Sequence, residues 1–129
     1  MKNEISFMTE LFESGHVKPI SVDESRPGED LARWLKVKSM GSEFVFDDPV
    51  RNANGWSESV TSNGESFVLE FGIVESSLGS DYAEWHITID KRRKWKFIGS
   101  KDSRSRSRLC DLVHNILRDE YAIREVQWS

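Results

Sequence analysis

The feature that most constrains the fold is a pair of segments in which apolar and polar residues alternate. Apolar side chains occupy every second position from Phe67 to Ile73, and again from Ala83 to Ile89. Because side chains on a β-strand point alternately to opposite faces, each segment predicts a strand with one buried face. Gly79 lies in the polar stretch between the segments, as is typical of a hairpin connection. The sequence therefore predicts two neighbouring antiparallel strands.

A third strand is predicted over about residues 93 to 98, with Trp95 and Phe97 on the inner face. Three consecutive strands of this kind make an antiparallel meander. Upstream, the segment Glu43–Phe46 predicts a strand that ends before Pro49, since proline cannot donate to a central ladder. Asn63 followed by Gly64 predicts the turn of another hairpin.

Helical spacing of apolar residues occurs in three places. Ile5, Met8 and Leu11 predict an N-terminal helix over about residues 4 to 14. Residues 29 to 40 fit both a helix and a strand, and a helix to about Leu35 followed by a short strand is favoured. The clearest pattern is an amphipathic helix after Ser103, whose apolar residues are Leu109, Leu112, Val113, Ile116 and Leu117.

These elements predict an α+β fold. It consists of an antiparallel meander with helices packed on one face, an N-terminal helix, and a long C-terminal helix followed by a terminal strand near Ile123 to Trp128. A chain of 129 residues and 14.9 kDa is expected to form a single domain over residues 1–129.

Composition excludes several classes of protein. The longest apolar runs are only a few residues, which excludes a membrane-spanning helix of roughly 20 apolar residues. No apolar segment typical of a signal peptide follows Met1, so a cytoplasmic protein with no membrane partner is expected. One cysteine and three scattered histidines predict no disulfide, no metal site and no cofactor.

Charge is distributed unevenly along the chain. Nine of the eighteen Lys and Arg residues lie between residues 91 and 108, whereas residues 1–90 are strongly acidic. An asymmetry of this size steers charged partners but does not identify them. The basic residues could bind phosphates as an RNA- or DNA-binding module does, or be neutralised by acidic residues of the same fold. They are Lys91, Arg92, Arg93, Lys94, Lys96, Lys101, Arg104, Arg106 and Arg108.

An acidic and aromatic surface is the other candidate site. The polar segment from Asp47 to Glu65 carries several carboxylates and a tryptophan with no obvious core position. Tryptophan is a favoured anchor at protein interfaces, and acidic patches suit basic targets such as nucleases. The predicted partner-binding residues are Asp47, Asp48, Trp56, Glu58 and Glu65.

Catalytic chemistry has weaker sequence support. Cys110 and His114 lie four residues apart on the predicted C-terminal helix, which is compatible with a thiolate and imidazole pair. His86 lies on the polar face of its strand with Glu84 and Thr88. No glycine-rich phosphate loop, nucleophile elbow or zinc-protease motif occurs. An enzyme is therefore not the expected function.

A small acidic chain with Trp-rich strands and a helix-strand ending from Leu109 to Trp128 resembles the immunity proteins of bacterial contact-dependent growth inhibition and related polymorphic toxin systems. The resemblance is of overall type and transfers no individual binding residue. It implies a stoichiometric inhibitor that binds and blocks a cognate toxin, here a basic one such as a nuclease. The alternative is a nucleic-acid-binding module that uses residues 91–108.

Overall fold

Alternation of buried and exposed side chains organises the chain into a sheet. The computed structural model describes residues 4–9, 11–12, 28–52, 55–62, 64–74, 83–91 and 104–128. In chain order, its elements are β1 (Glu4–Thr9), α1 (Glu29–Lys38), β2 (Val45–Phe46), β3 (Val50–Asn52), β4 (Gly55–Ser62), β5 (Glu65–Val74), β6 (Ala83–Lys91), α2 (Arg104–Arg118) and β7 (Ile123–Trp128).

All seven strands belong to one antiparallel sheet. Its order is β2-β4-β5-β6-β1-β7, and β3 also pairs with β4. Strands β4, β5 and β6 follow one another as a meander. The two strands predicted from alternation are β5 and β6, while the predicted connection between them lies outside the described residues. Between the paired residues Ser62 and Glu65, Gly64 has φ 81°, a conformation that favours glycine.

The first strand corrects the predicted N-terminal helix. Residues 4–9 form β1, which lies inside the sheet between β6 and β7. Ile5, Phe7 and Thr9 are buried on one face. Buried side chains therefore recur at every second position, as in a strand, and not at the helical spacing of Ile5 and Met8. Pairing along both sides of the segment satisfies its backbone N–H and C=O groups, whereas a helix this short is not stable by itself.

The predicted fold class is therefore wrong. In the described part of the chain, a seven-stranded sheet dominates and only two helices accompany it. Helix α1 continues to Lys38, so the short strand predicted directly after Leu35 is not formed. The third meander strand, predicted at residues 93 to 98, lies outside the described residues. The neighbours of β6 in the sheet are β5 and β1.

One edge of the sheet is interrupted by a bulge. Phe46 pairs with Val60, and the Asp47 amide donates to the Ser59 carbonyl oxygen. By Val50, which pairs with Ser57, the register has shifted by one residue. Proline and charged residues at an edge discourage pairing with another chain.

Both described helices contribute to the same apolar core. Helix α1 packs near β4, and α2 packs near β6 and β7. Leu31 and Leu35 of α1, and Leu109 and Val113 of α2, are fully buried with the inward residues of the sheet. We call this side of the sheet the inner face and the opposite side the outer face. Neither described helix is both long and apolar enough to cross a membrane.

Truncating Phe7 tests the placement of β1. Phe7→Ala is expected to lower the free energy of unfolding by about 3 to 5 kcal/mol, because the buried ring leaves a cavity. Met8→Ala changes a half-buried residue on the outer face and is expected to cost clearly less. Urea denaturation followed by tryptophan fluorescence measures both. A larger loss for Met8→Ala would contradict the strand.

Candidate functional site

Polar residues of the three central strands meet on the outer face. In β5 and β6, Glu70 lies opposite Thr88, and Gly72 lies opposite His86. In β1, Glu4 lies on the other side of Thr88. Directly paired residues place their Cβ atoms about 5 Å apart. Strand register thus brings together side chains that are far apart in sequence.

A hollow of about 270 Å³ opens at these residues. A Cβ placed on Gly72 would meet no atom within 4 Å, so the missing side chain leaves open space on the outer face. Two carboxylates, a hydroxyl and an imidazole contribute to a mixed lining. Its residues are Glu4, Asn52, Trp56, Glu70, Phe71, Gly72, Ile73, His86 and Thr88.

His86 is held between two carboxylates beside this hollow. Its Nδ1 lies 2.6 Å from Glu4 Oε2, and its Nε2 lies 3.0 Å from Glu84 Oε2. Carboxylates only accept hydrogen bonds, so both ring nitrogens donate when His86 is protonated. Burial opposes this charge, but the hydrogen bonds to Glu84 and Glu4 outweigh it and raise the pKa of His86 above its ordinary value. The geometry favours an imidazolium.

Two exposed valines lie on the same outer face. Val50 of β3 is paired with Ser57, which is paired in turn with Glu70. Val45 of β2 is paired with Thr61. Each valine is 62% exposed, which is unusual for side chains of this type in a sheet. The outer face therefore combines an acidic hollow with apolar side chains near one edge.

The predicted acidic pair Asp47 and Asp48 lies beside α1. Asp48 accepts a hydrogen bond of 2.6 Å from Lys36 Nζ and lies 3.8 Å from Arg33. The Lys36 ammonium lowers the pKa of Asp48 below its ordinary value. The charge of Asp48 is thus balanced within the fold, at the side of the sheet that α1 covers.

Glu58 lies on the inner face and is only 1% exposed. Neither carboxylate oxygen has a hydrogen-bond partner. Burial raises the pKa of Glu58 to about 8, against the opposing influence of Lys36 and Arg33. Glu58 is therefore a neutral acid in the core at neutral pH, and a partner cannot contact it in this conformation.

The two remaining members of the predicted set lie apart. Trp56 is half-buried against the core and lines the hollow. Glu65 begins β5 and accepts a hydrogen bond of 3.4 Å from Ser105 Oγ of α2. Asp47, Asp48 and Glu58 lie in one region of the fold, but the five residues do not form one exposed surface.

The predicted basic segment is described only in part. Lys91 ends β6, and Arg92, Arg93, Lys94, Lys96 and Lys101 lie outside the described residues. Arg104 is exposed in the first turn of α2. Arg106 lies 3.5 Å from the Ile89 carbonyl oxygen, and Arg108 makes two hydrogen bonds to Glu43, of 2.7 and 3.1 Å. Arg108 is thus paired with an acidic residue of the same fold.

The surroundings of Cys110 and His114 do not favour a thiolate nucleophile with an imidazole base. Burial raises the pKa of the Cys110 thiol, which disfavours the reactive thiolate. His114 stacks on Trp128 and accepts a hydrogen bond of 3.0 Å from the Trp128 indole nitrogen through Nδ1. The Nδ1 atom of His114 is therefore occupied within the fold.

The alternation of β6 predicts one polar strand face with His86, Glu84 and Thr88, but sequence patterns do not identify Glu4, Glu70 or Gly72 as site residues. Alternation could have placed Glu70 and Gly72 opposite the buried residues of β5. Glu4 could not be found while its segment was predicted to be a helix. Within the described residues, no group of three or more His, Cys, Asp or Glu side chains could hold a metal ion.

The arrangement has the chemistry of a binding surface for cations and apolar groups. Carboxylates at the hollow can accept charge-assisted hydrogen bonds, and the nearby valines can lose their water on contact. Comparisons with protein-family models, curated proteins and solved structures find no match.

Replacing Glu58 by glutamine tests its buried protonated state. The folded chain holds this proton up to a pH of about 8, whereas the unfolded chain releases it near 4.5. Stability is therefore expected to fall as pH rises between these values, by on the order of 4 kcal/mol from this residue. Glu58→Gln should remove that part of the slope in urea denaturation from pH 4.5 to 9. The exposed control Glu70→Gln should retain it, and equal slopes in both variants would contradict the burial.

Removing both neighbours of His86 tests the origin of its raised pKa. The double variant Glu4→Gln, Glu84→Gln removes both negative charges and the charge-assisted hydrogen bonds while burial remains, so the pKa of His86 should fall. Nuclear magnetic resonance (NMR) titration of the imidazole Cε1 proton measures it. Glu70→Gln, which removes a carboxylate that does not bond His86, is the control. An unchanged pKa in the double variant would refute the two hydrogen bonds.

Proposed function

We propose that this chain is a stoichiometric inhibitor that binds a basic toxin protein through the outer face of its sheet and catalyses no reaction. The observation that carries the proposal is the placement of an acidic hollow and exposed valines on one face. Protein interfaces combine apolar contacts with polar groups that fix orientation. The outer face offers both kinds of contact.

Charge favours a basic protein as the partner. Among the described side chains that line or flank the hollow, Glu4, Glu70 and Glu84 outnumber the one imidazolium of His86. An acidic surface attracts a basic protein, speeds its association and repels phosphates. A basic toxin, such as a nuclease whose own surface attracts nucleic acid, fits this charge.

The surroundings of the candidate catalytic groups support binding over catalysis. Both ring nitrogens of His86 face carboxylates of the same fold, so this side chain is poorly placed to accept a proton from a substrate. The raised pKa of Cys110 and the bond from Trp128 to His114 disfavour a thiolate and imidazole pair. These contacts favour structural roles for the three side chains.

Contacts between arginines of α2 and other parts of the fold weigh against the alternative of nucleic-acid binding. Arg108 is bonded to Glu43, and Arg106 contacts the Ile89 carbonyl oxygen. Of the three residues of the predicted basic segment that lie on α2, Arg104 is exposed at the start of the helix. We therefore retain the function implied by the resemblance to immunity proteins, and propose that the inhibitor acts in the cytoplasm.

An inhibitor of this kind is expected to have its toxin encoded by a neighbouring gene, and charge reversal on the outer face tests the proposal against the toxin domain of that product. The wild-type chain is expected to form a 1:1 complex in size-exclusion chromatography with light scattering, and to protect cells that express the toxin. Glu70→Lys combined with Val50→Asp should weaken binding about 100-fold or more, because it replaces an attraction by a repulsion and places a charge at an apolar contact.

Asp119→Lys is a matched control for the charge reversal. Asp119 is an exposed carboxylate at the end of α2, away from the outer face, and its substitution changes the charge by the same amount as Glu70→Lys does. It should leave affinity and protection within about threefold of the wild type, as rim charges do. Absence of a complex with the wild-type chain would refute the proposed function. Equal losses in both variants would refute the proposed surface.

A further inference from the structure

Three side chains that can accept hydrogen bonds form a row across the outer face of the sheet. Glu70 of β5 is paired with Thr88 of β6, and Thr88 is paired with Glu4 of β1. Neighbouring strands lie about 4.8 Å apart, so the two glutamates are anchored about 10 Å from each other. Their flexible side chains can converge above Thr88 on a group of several ångströms.

Gly72 leaves the part of the hollow beside this row free of a side chain. It lies two residues after Glu70, on the same outer face, and opposite His86. Any other residue at this position would direct a Cβ atom into space where no atom lies within 4 Å. Part of the volume of about 270 Å³ therefore remains open because this residue is glycine.

The acceptor pattern distinguishes between cations. A guanidinium presents five N–H donors in a planar fork and can bond two separated carboxylates and a hydroxyl at once. An ammonium is a compact point charge with three donors and cannot span the same row. Glu4 bonds His86 through Oε2, which leaves its Oε1 for a ligand. The positive charge of His86 is compensated by Glu84 on its other side.

We propose that the hollow above Gly72 is a binding pocket for an arginine side chain of a protein partner, with Glu70, Glu4 and Thr88 accepting its hydrogen bonds. This inference rests on the proposed function and names the group that the outer face recognises. Val50 lies in the same row, beyond Ser57 and Glu70. In the proposed complex, this exposed side chain contacts apolar residues of the partner that flank its arginine.

Titration with small arginine derivatives tests the pocket without the partner. N-acetylarginine methylamide is added to the 15N-labelled protein, and the amide signals of Gly72 and Thr88 are followed by NMR. Both should shift in a saturable way. The citrulline derivative has the same shape without the charge and should bind about tenfold more weakly, because it loses charge-assisted hydrogen bonds. The lysine derivative should also bind more weakly than the arginine derivative.

Two variants of the chain locate the bound group. Gly72→Val fills the hollow with a residue that strands favour, so it should retain a well-dispersed spectrum and lose the saturable shifts. Glu70→Gln should weaken arginine binding, whereas Asp119→Gln, which removes an exposed carboxylate elsewhere, should not. Saturable binding that survives in Gly72→Val, or citrulline binding as tight as that of arginine, overturns the proposal.

The same variants separate this inference from the proposed function. A wild-type chain that forms the 1:1 toxin complex but shows no saturable arginine binding overturns the pocket and leaves the function in place. Arginine binding in a chain that forms no toxin complex supports the pocket and overturns the function. Loss of toxin affinity in Gly72→Val, with the fold retained, supports both.

Discussion

The position of β1 between β6 and β7 is the constraint on which the other features depend. On the inner face this strand supplies Ile5 and Phe7, both fully buried, and on the outer face it brings Glu4 to His86. Residues near the start of the chain thereby pair with residues near its end. Closing so long a loop costs entropy, which the burial of apolar side chains offsets. Core and binding surface are therefore assembled by the same pairing.

Local periodicity was enough to predict β5, β6 and α2, because each contains four or more regularly spaced apolar residues. It failed for residues 4–9, where Ile5 and Met8 fit a helix while Ile5 and Phe7 fit a strand. A segment of six residues cannot distinguish these periods by itself. Pairing with β6 and β7 decides between them, and that information is not local to the segment.

The site was less predictable than the fold, for a related reason. The tryptophan and the carboxylates from Asp47 to Glu65 are close in sequence, which predicts one surface, but in the sheet Glu58 belongs to the inner face and Glu65 contacts α2. Glu58 lies two residues before the buried Val60, so alternation along β4 carries a signal of its burial. The outer-face row of Glu70, Thr88 and Glu4 depends on strand register, which no single segment encodes.

Two groups that hold protons lie on opposite faces of the sheet, and both change the net charge of the folded chain. The formal net charge of −4 counts Glu58 as ionised and His86 as neutral. Burial keeps Glu58 protonated at neutral pH, and the flanking carboxylates favour the imidazolium of His86. Together they make the folded chain less acidic than its composition implies.

The negative charge that remains at the hollow lies on Glu70 and on the carboxylates flanking His86. These carboxylates are at least partly exposed and can accept hydrogen bonds from a ligand. Selectivity for a cation then depends on the spacing of these few carboxylates, because salt screens the general field of an acidic surface while close hydrogen-bonded pairs are screened much less.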